Sequence, residues 1–223
     1  MRVSKFSFPH LFTGAGSNGV PARQSRGGGK PLALAFVFAA FVASPAFAGW
    51  QDEATPRDIQ RMAAIDRSRA QGLSDLDSGP VKGDASTMRD VAGAAGGDIS
   101  ADELLGDWRC RTIRLGGVFS IEYSWFRCSV SERGGHLYFE KLSGSQLING
   151  WLYPDDGRFV LLGGWSVVGE PRHAYSGRAA GYGASATPDD AIGLVSSLGT
   201  GHAKIEFPAP VQESDFDVME LER

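Results

Sequence analysis

The sequence predicts a mainly β protein: a small antiparallel β-barrel of about eight strands, preceded by an N-terminal α-helical arm. Three observations carry this. From Asp107 onward the chain breaks into short apolar or alternating runs of strand length. Those runs are separated by turn formers: Gly116-Gly117, Gly134-Gly135, Gly144, Asp155-Asp156-Gly157, Gly163-Gly164 and Gly199-Thr200-Gly201. Upstream, helix-start signals stand at Thr55-Pro56 and at Ser100.

The length, 223 residues, fits one domain or one domain with appendages. With 42% hydrophobic and 22% charged residues, the chain is neither wholly disordered, collagenous, coiled-coil nor polytopic in a membrane. Residues 1–48 hold Arg2, Lys5, Arg23, Arg26 and Lys30 and no acidic residue. An apolar run from Leu32 to Ala43 follows, then Ser44-Pro45 and Ala46-Phe47-Ala48. This order is that of a secretory signal peptide, cut after Ala48. The competing reading is an uncleaved anchor. It is disfavoured by the shortness of the strongly apolar part and by Pro45 at its end. The mature chain, 49–223, keeps 17 of the 22 basic residues and all 26 acidic ones, a net charge of −9. So acidic a protein is a poor partner for nucleic acid, and its mature part contains no expected transmembrane segment.

Residues 49–100 read as a helical arm and flexible linker, and 101–223 as the barrel. Thr55 caps a helix with Pro56 at its first position. Ile59, Met62, Ala63 and Ala70 share a face, Arg57, Arg61 and Arg67 lie elsewhere, and Gly72 is the expected stop. Of the 29 residues 72–100, 19 are Gly, Asp, Ser or Ala, which reads as linker with one helical turn near Ser86–Val91. Ser100-Ala101-Asp102-Glu103 is a capping box, flanked by Ile99 and Leu104. The expected strands are 107–114, 120–131, 136–142, 146–153, 158–165, 173–182, 191–198, 203–207 and 215–221. Asp156-Gly157 is the strongest hairpin signal. Lys204-Ile205-Glu206-Phe207 alternates as a half-buried strand does. Closing such a sheet removes its edges.

Cys110 and Cys128 are the only cysteines. In an oxidising compartment an even pair reads as a structural disulfide. Placing Cys110 opposite Cys128 in a hairpin puts Trp108 and Phe126 on their face. Arg109 and Arg111 then share the other face with Trp125 and Arg127, with Arg111 opposite Arg127. Like charges so placed need neutralising. Glu122, Glu132 or Glu140 is one answer; an external anion is the other, which makes Arg109, Arg111, Arg127 and Trp125 candidate ligand-binding residues.

Gly106-Asp107-Trp108, after a helical turn and entering the first strand, resembles the start of a lipocalin-type barrel. The resemblance implies that Trp108 packs across the closed end. A second resemblance spans more of the chain. It rests on four blocks: Gly106-Asp107-Trp108-Arg109-Cys110-Arg111-Thr112-Ile113-Arg114-Leu115-Gly116; Trp125-Phe126-Arg127-Cys128; Lys141-Leu142-Ser143-Gly144-Ser145-Gln146 with Gly150-Trp151-Leu152-Tyr153-Pro154; and Glu213-Ser214-Asp215-Phe216-Asp217-Val218. In this order and spacing they are similar to an uncharacterised family of exported bacterial proteins, domain of unknown function 4893, over roughly residues 50–223. That resemblance implies export, the cysteine pair and the β-rich second half, and no activity.

His136, His173 and His202 lack metal-ligand spacing, and no H-E-x-x-H occurs. Gly164-Trp165-Ser166-Val167-Val168-Gly169 misses the nucleophile-elbow pattern by one residue. Asp155-Asp156 and Asp189-Asp190 lack the further ligands of a calcium loop. No cofactor, metal site or catalytic residue is therefore expected. Trp108, Trp125, Trp151 and Trp165 are core aromatics or, in part, the lining of a pocket at a barrel mouth. The expected function is periplasmic and non-catalytic: a binding module for a small amphipathic or anionic ligand. The alternative is an envelope protein–protein interaction module, an inhibitor or assembly factor. A hydrolase of unrecognised type stands third.

Overall fold

The protein is described by a computed structural model covering residues 49–177, 189–211 and 214–223; residues 1–48, on which the signal-peptide expectation falls, lie outside them. Among the described residues five helices come first: α1 (Trp50–Glu53), α2 (Pro56–Ala63), α3 (Ile65–Ser78), α4 (Ala85–Gly93) and α5 (Ala101–Leu104), with the short strand β1 (Val81–Lys82) between α3 and α4. Then follow β2 (Gly106–Leu115), β3 (Ser120–Glu122), β4 (Phe126–Arg133), β5 (His136–Lys141), β6 (Gln146–Asp155), β7 (Arg158–Val167), β8 (Asp190–Gly199), β9 (His202–Pro208) and β10 (Phe216–Glu222).

Strands β4 to β10 each pair antiparallel with the next, and β2 pairs with both β10 and β4. The result is a closed eight-stranded antiparallel barrel. The Asp156-Gly157 hairpin forms as its residues demand. Both take positive φ, 45° and 76°, and Asp155 pairs with Arg158 across the turn. The interior is filled by a continuous apolar core that includes Trp108, Phe139, Leu161, Ile205 and Met219.

The strand expected over 120–131 is broken in two. Glu122 pairs with Ile113, whereas Phe126 pairs with Cys110, so one extra residue is accommodated between β3 and β4. This bulge leaves Glu122 on the outer face and turns Phe126 and Cys128 inward. The strand expected over 173–182 does not form in its described part. Residues 171–177 are irregular, β7 pairs directly with β8, and 178–182 lie outside the described residues. Side chains hold this segment instead: Asp190 Oδ1 accepts from the Ser176 N–H at 2.9 Å, and Asn149 donates to the His173 carbonyl.

The helices wrap the barrel's outer face. Thr55 caps α2 by accepting from the Asp58 N–H, and Ser100 and Glu103 form the expected capping box on α5. α1 and α2 bury Trp50, Ala54 and Met62 against Val160, Leu162 and Ile192. α3 does not stop at Gly72. A Cβ there would lie 2.8 Å from that of Phe216 and 3.0 Å from that of Leu115, so glycine is what lets the helix lie flat on β2 and β10. Leu76, Met88 and Val91 then bury against Ile113, Leu115 and Val218. Residues 72–100, expected as flexible linker, thus carry packed helix. Their small residues fit a close approach to the sheet.

The helices also change strand β9. Its alternation predicts a solvated polar face, yet Lys204 and Glu206 are 0% and 2% exposed. Helix α3 and the end of α4 cover them. Glu206 accepts from Arg69 Nε at 2.7 Å and lies 3.1 Å from Lys204 Nζ, which donates to the Ala94 carbonyl at 2.6 Å. Buried charges persist only when paired this way.

Candidate functional site

The cysteine and tryptophan expectations locate the closed end. Cys110 and Cys128 are disulfide-bonded, with Cα atoms 5.9 Å apart, but they are not directly opposite. Cys110 faces Phe126 and Cys128 faces Trp108, a register two residues from the expected one. Trp108 is 4% exposed and donates from Nε1 to the Leu104 carbonyl at 2.8 Å. The Arg223 guanidinium covers its ring at 4.2 Å and donates to the Glu103 and Leu105 carbonyls. This end of the barrel is plugged.

The shifted register also moves the arginines. Arg109, not Arg111, stands opposite Arg127. Arg111 faces Glu220 on its other neighbour, β10; its Nε donates to Glu220 at 2.6 Å and its Nη1 pairs with Glu122. Arg109 pairs with Glu222. Trp125 lies beside both guanidinium groups, at 5.0 and 4.6 Å. Arg127 is exposed and its side chain makes no ion pair among the described residues. These side chains sit on the outer surface of β2 and β4. Glu122, one of the three carboxylates expected to neutralise the cluster, does so with Glu220 and Glu222.

A different set of residues forms the open end. The registers bring the C-terminal ends of β2, β5, β7 and β9 and the N-terminal ends of β4, β6, β8 and β10 together. There, a cavity of about 140 Å³ opens between Arg114, Gln146, Trp165, Phe207 and Asp217. Arg61, reaching from α2, and the polar residues Glu170, His173, Asp189 and Asp190 complete its rim. Arg114 donates to the Gln146 side chain at 2.8 Å and lies 3.6 Å from Asp217. Asp217 also accepts from Ser214 Oγ at 2.6 Å. Trp165 packs against Phe207 with ring centroids 5.6 Å apart.

Lys141 stands behind this wall, 4% exposed. Its ammonium donates to the Gln146 carbonyl at 2.8 Å and sits 4.4 Å over the Phe126 ring. Burial, with the Arg114 charge adding to it, pushes its pKa down to about 8 from 10.5. The folded protein therefore binds fewer protons than the unfolded chain between those values. The penalty for burying the charge is full below pH 8 and is relieved as pH rises toward 10.5. Lys141→Met should accordingly melt higher than the parent near pH 7, and the two melting curves should converge by about pH 10.5. A gap that widened with pH would show that Lys141 stabilises the fold as a cation.

Simple alternation holds the signal for this site. Arg114 shares the inward parity of Trp108 and Cys110, and Lys141 that of Leu137 and Phe139. Trp165 was legible as one of four tryptophans that fill the core or line a barrel mouth, and Asp217 only as a strand residue. Their convergence depends on which strands neighbour each other.

The profile of one protein family, described as a domain of unknown function (DUF4893), matches residues 50–221. The chain belongs to this DUF4893 family. The DUF4893 match begins at α1 and runs to the last strand, so it takes in the helices as well as the barrel. No curated protein matches the chain. Among the described residues, no three His, Cys, Asp or Glu side chains are grouped to hold a metal ion, and no helix is long and apolar enough to cross a membrane.

Proposed function

We propose that the protein is a binding module whose barrel mouth takes a small amphipathic ligand. One observation carries this reading: the barrel is plugged by Trp108 and Arg223 at one end and opens at the other into a cavity with an aromatic wall and a polar one. The ligand's polar group would exchange hydrogen bonds with Arg114, Gln146 and Asp217, and its apolar part would lie against Trp165 and Phe207. The arginines of the mouth are matched by Glu170, Asp189, Asp190 and Asp217, which favours an amphipathic ligand over a highly charged anion. The surroundings agree. Six of the eight large exposed hydrophobic side chains among the described residues are Val118, Phe119, Tyr123, Leu142, Val167 and Val168, all on strand ends and loops on the mouth side.

Straight-chain carboxylates of increasing length test the reading by calorimetric titration. Each buried methylene contributes about 0.8 kcal/mol, so lengthening by two should tighten binding roughly tenfold while the chain remains covered. The paired variant Arg114→Gln with Asp217→Asn, which leaves neither charge alone, should weaken binding at least tenfold. Equal affinity for short and long chains, or binding indifferent to the paired variant, would remove the mouth from consideration.

The same apolar rim supports a second reading, an envelope protein seated over the mouth. In that case the rim variant Val118→Ser with Val168→Ser would abolish complex formation and leave carboxylate binding intact. We also propose that the protein works in the periplasm after cleavage at Ala48. The Cys110–Cys128 bond supports this, because such bonds persist in oxidising compartments. The intact mass of the protein from an envelope fraction should correspond to Gly49–Arg223; a mass that includes Met1 would overturn the export reading.

A further inference from the structure

Outside the barrel, on β5 and β6, an asparagine is held in an unusual way. Asn149 is 4% exposed, and its Nδ2 donates to the Tyr138 hydroxyl at 2.8 Å and the His173 carbonyl at 3.2 Å. A backbone carbonyl only accepts, so the amide orientation follows from that contact. Its Oδ1 is buried and receives no hydrogen bond among the described residues. Buried acceptors are almost always paired, and one left unpaired calls for an explanation.

Asn149 lines a groove of about 320 Å³, near the lower end of the volumes that hold small molecules, roughly 300–1,000 Å³. Four aromatic residues, Tyr138, Trp151, Tyr153 and Tyr175, share its walls with small residues and Leu162, and Glu53 of α1 also lines it. Trp151 is 39% exposed, and Tyr138 holds it edge-on with centroids 4.7 Å apart. Tyr175 donates its hydroxyl proton to Asp58 at 2.7 Å and accepts from the Thr55 N–H at 2.9 Å, so it offers the groove its ring. Tyr138 accepts from Asn149 and keeps its own proton to donate. The lining contains one carboxylate and no basic side chain.

We propose that this groove is a saccharide subsite that takes one neutral pyranose ring. A pyranose combines what these walls ask for: an apolar C–H face to lie on Trp151, and a ring of hydroxyls. One O–H or N–H would donate to Asn149 Oδ1; Glu53 would accept from another, and Tyr138 would donate to a ring oxygen. A flat aromatic ligand would satisfy the rings and leave Oδ1 unpaired. An acidic sugar would meet Glu53, and Arg133, 4.0 Å over the Tyr138 ring, is already paired with Glu140. The proposal uses residues separate from the barrel mouth and stands independently of it.

The test is a titration of the full protein with methyl glycosides of glucose and N-acetylglucosamine, followed by saturation-transfer NMR and tryptophan fluorescence, with phenol as the planar control. At least one glycoside should bind saturably and more tightly than phenol. Trp151→Ala changes a partly exposed side chain, and its melting temperature should match the parent while glycoside affinity falls at least tenfold. Asn149→Leu should cause a similar loss for the glycoside and leave phenol binding unchanged. Three results would overturn the proposal: no saturable glycoside binding, glycoside binding unaffected by Trp151→Ala, or phenol preferred over both sugars.

Discussion

Asp58→Ala should lower unfolding free energy by about 3–5 kcal/mol, because it strands a buried cation. Asp58 is fully buried, and Arg61, 7% exposed, donates to it from Nη1 at 2.7 Å. Arg61 also donates its Nε–H, shared between them, to the carbonyls of Pro208 and Ala209, 3.1 and 3.0 Å away. Without the carboxylate its charge keeps the two carbonyls but loses the ion pair that offsets its burial. The same carboxylate accepts from the hydroxyls of Thr55, at 2.8 Å, and Tyr175. Burial and the adjacent carboxylate hold the Tyr175 hydroxyl well above the ordinary tyrosine pKa, so it stays a proton donor across the physiological range. Arg61 borders the barrel mouth and Tyr175 walls the outer groove. Asp58→Ala should therefore damage both proposed sites together, even in molecules that remain folded. Urea denaturation gives the stability change; a loss under about 1 kcal/mol would mean that water reaches Arg61 and that the network is not structural.

Trp108→Ala should cost a similar amount, about 3–5 kcal/mol, through the void left where the ring plugs the barrel. Trp108→Phe provides the internal comparison. It keeps most of the apolar volume and loses the bond to the Leu104 carbonyl, about 1 kcal/mol. If the two variants were equally unstable, the hydrogen bond, and not the packing under Arg223, would be what holds α5 over this end. Thermal or urea unfolding monitored by far-ultraviolet circular dichroism distinguishes the two.

Both variants act at places the sequence half reveals. Trp108 was readable as a plug only through a resemblance: a helical turn, a glycine and an aromatic at the entry to a strand are similar to the start of a lipocalin-type barrel. Asp58 was readable only as a residue in the first turn of a helix. Nothing local says that Arg61, three residues on, turns from the solvated face to the rim of β9, since the carbonyls that receive it lie 147 and 148 residues away. The proposed sites divide the same way. Strand parity places Arg114 and Lys141 inside the barrel. It does not say that Asp217 and Trp165 meet them, nor that Tyr175 comes back over Asn149.

What the sequence by itself determined is therefore local and periodic: turns at Gly134-Gly135 and Asp156-Gly157, caps at Thr55 and Ser100, inward faces set by alternation, and a cysteine pair close enough to join. These follow from φ preferences, short-range hydrogen bonds and the two-residue repeat of a strand. Tertiary structure decided the register, the covering of the sheet and the identity of the sites. The pairing of β2 with β10 set which arginine meets Glu220 and Glu222, and the one-residue bulge after Glu122 set which arginine stands opposite Arg127. Gly72, a stop signal by local rules, became a contact surface because burying α3 against Leu115 and Phe216 outweighs the local tendency to end the helix. Lys204 and Glu206, patterned for water, are buried because the helices that cover them bring Arg69 and the Ala94 carbonyl as partners. Each of these outcomes depends on groups far apart in the chain, and long-range packing and charge pairing override local preference wherever the apolar area to be covered is large enough.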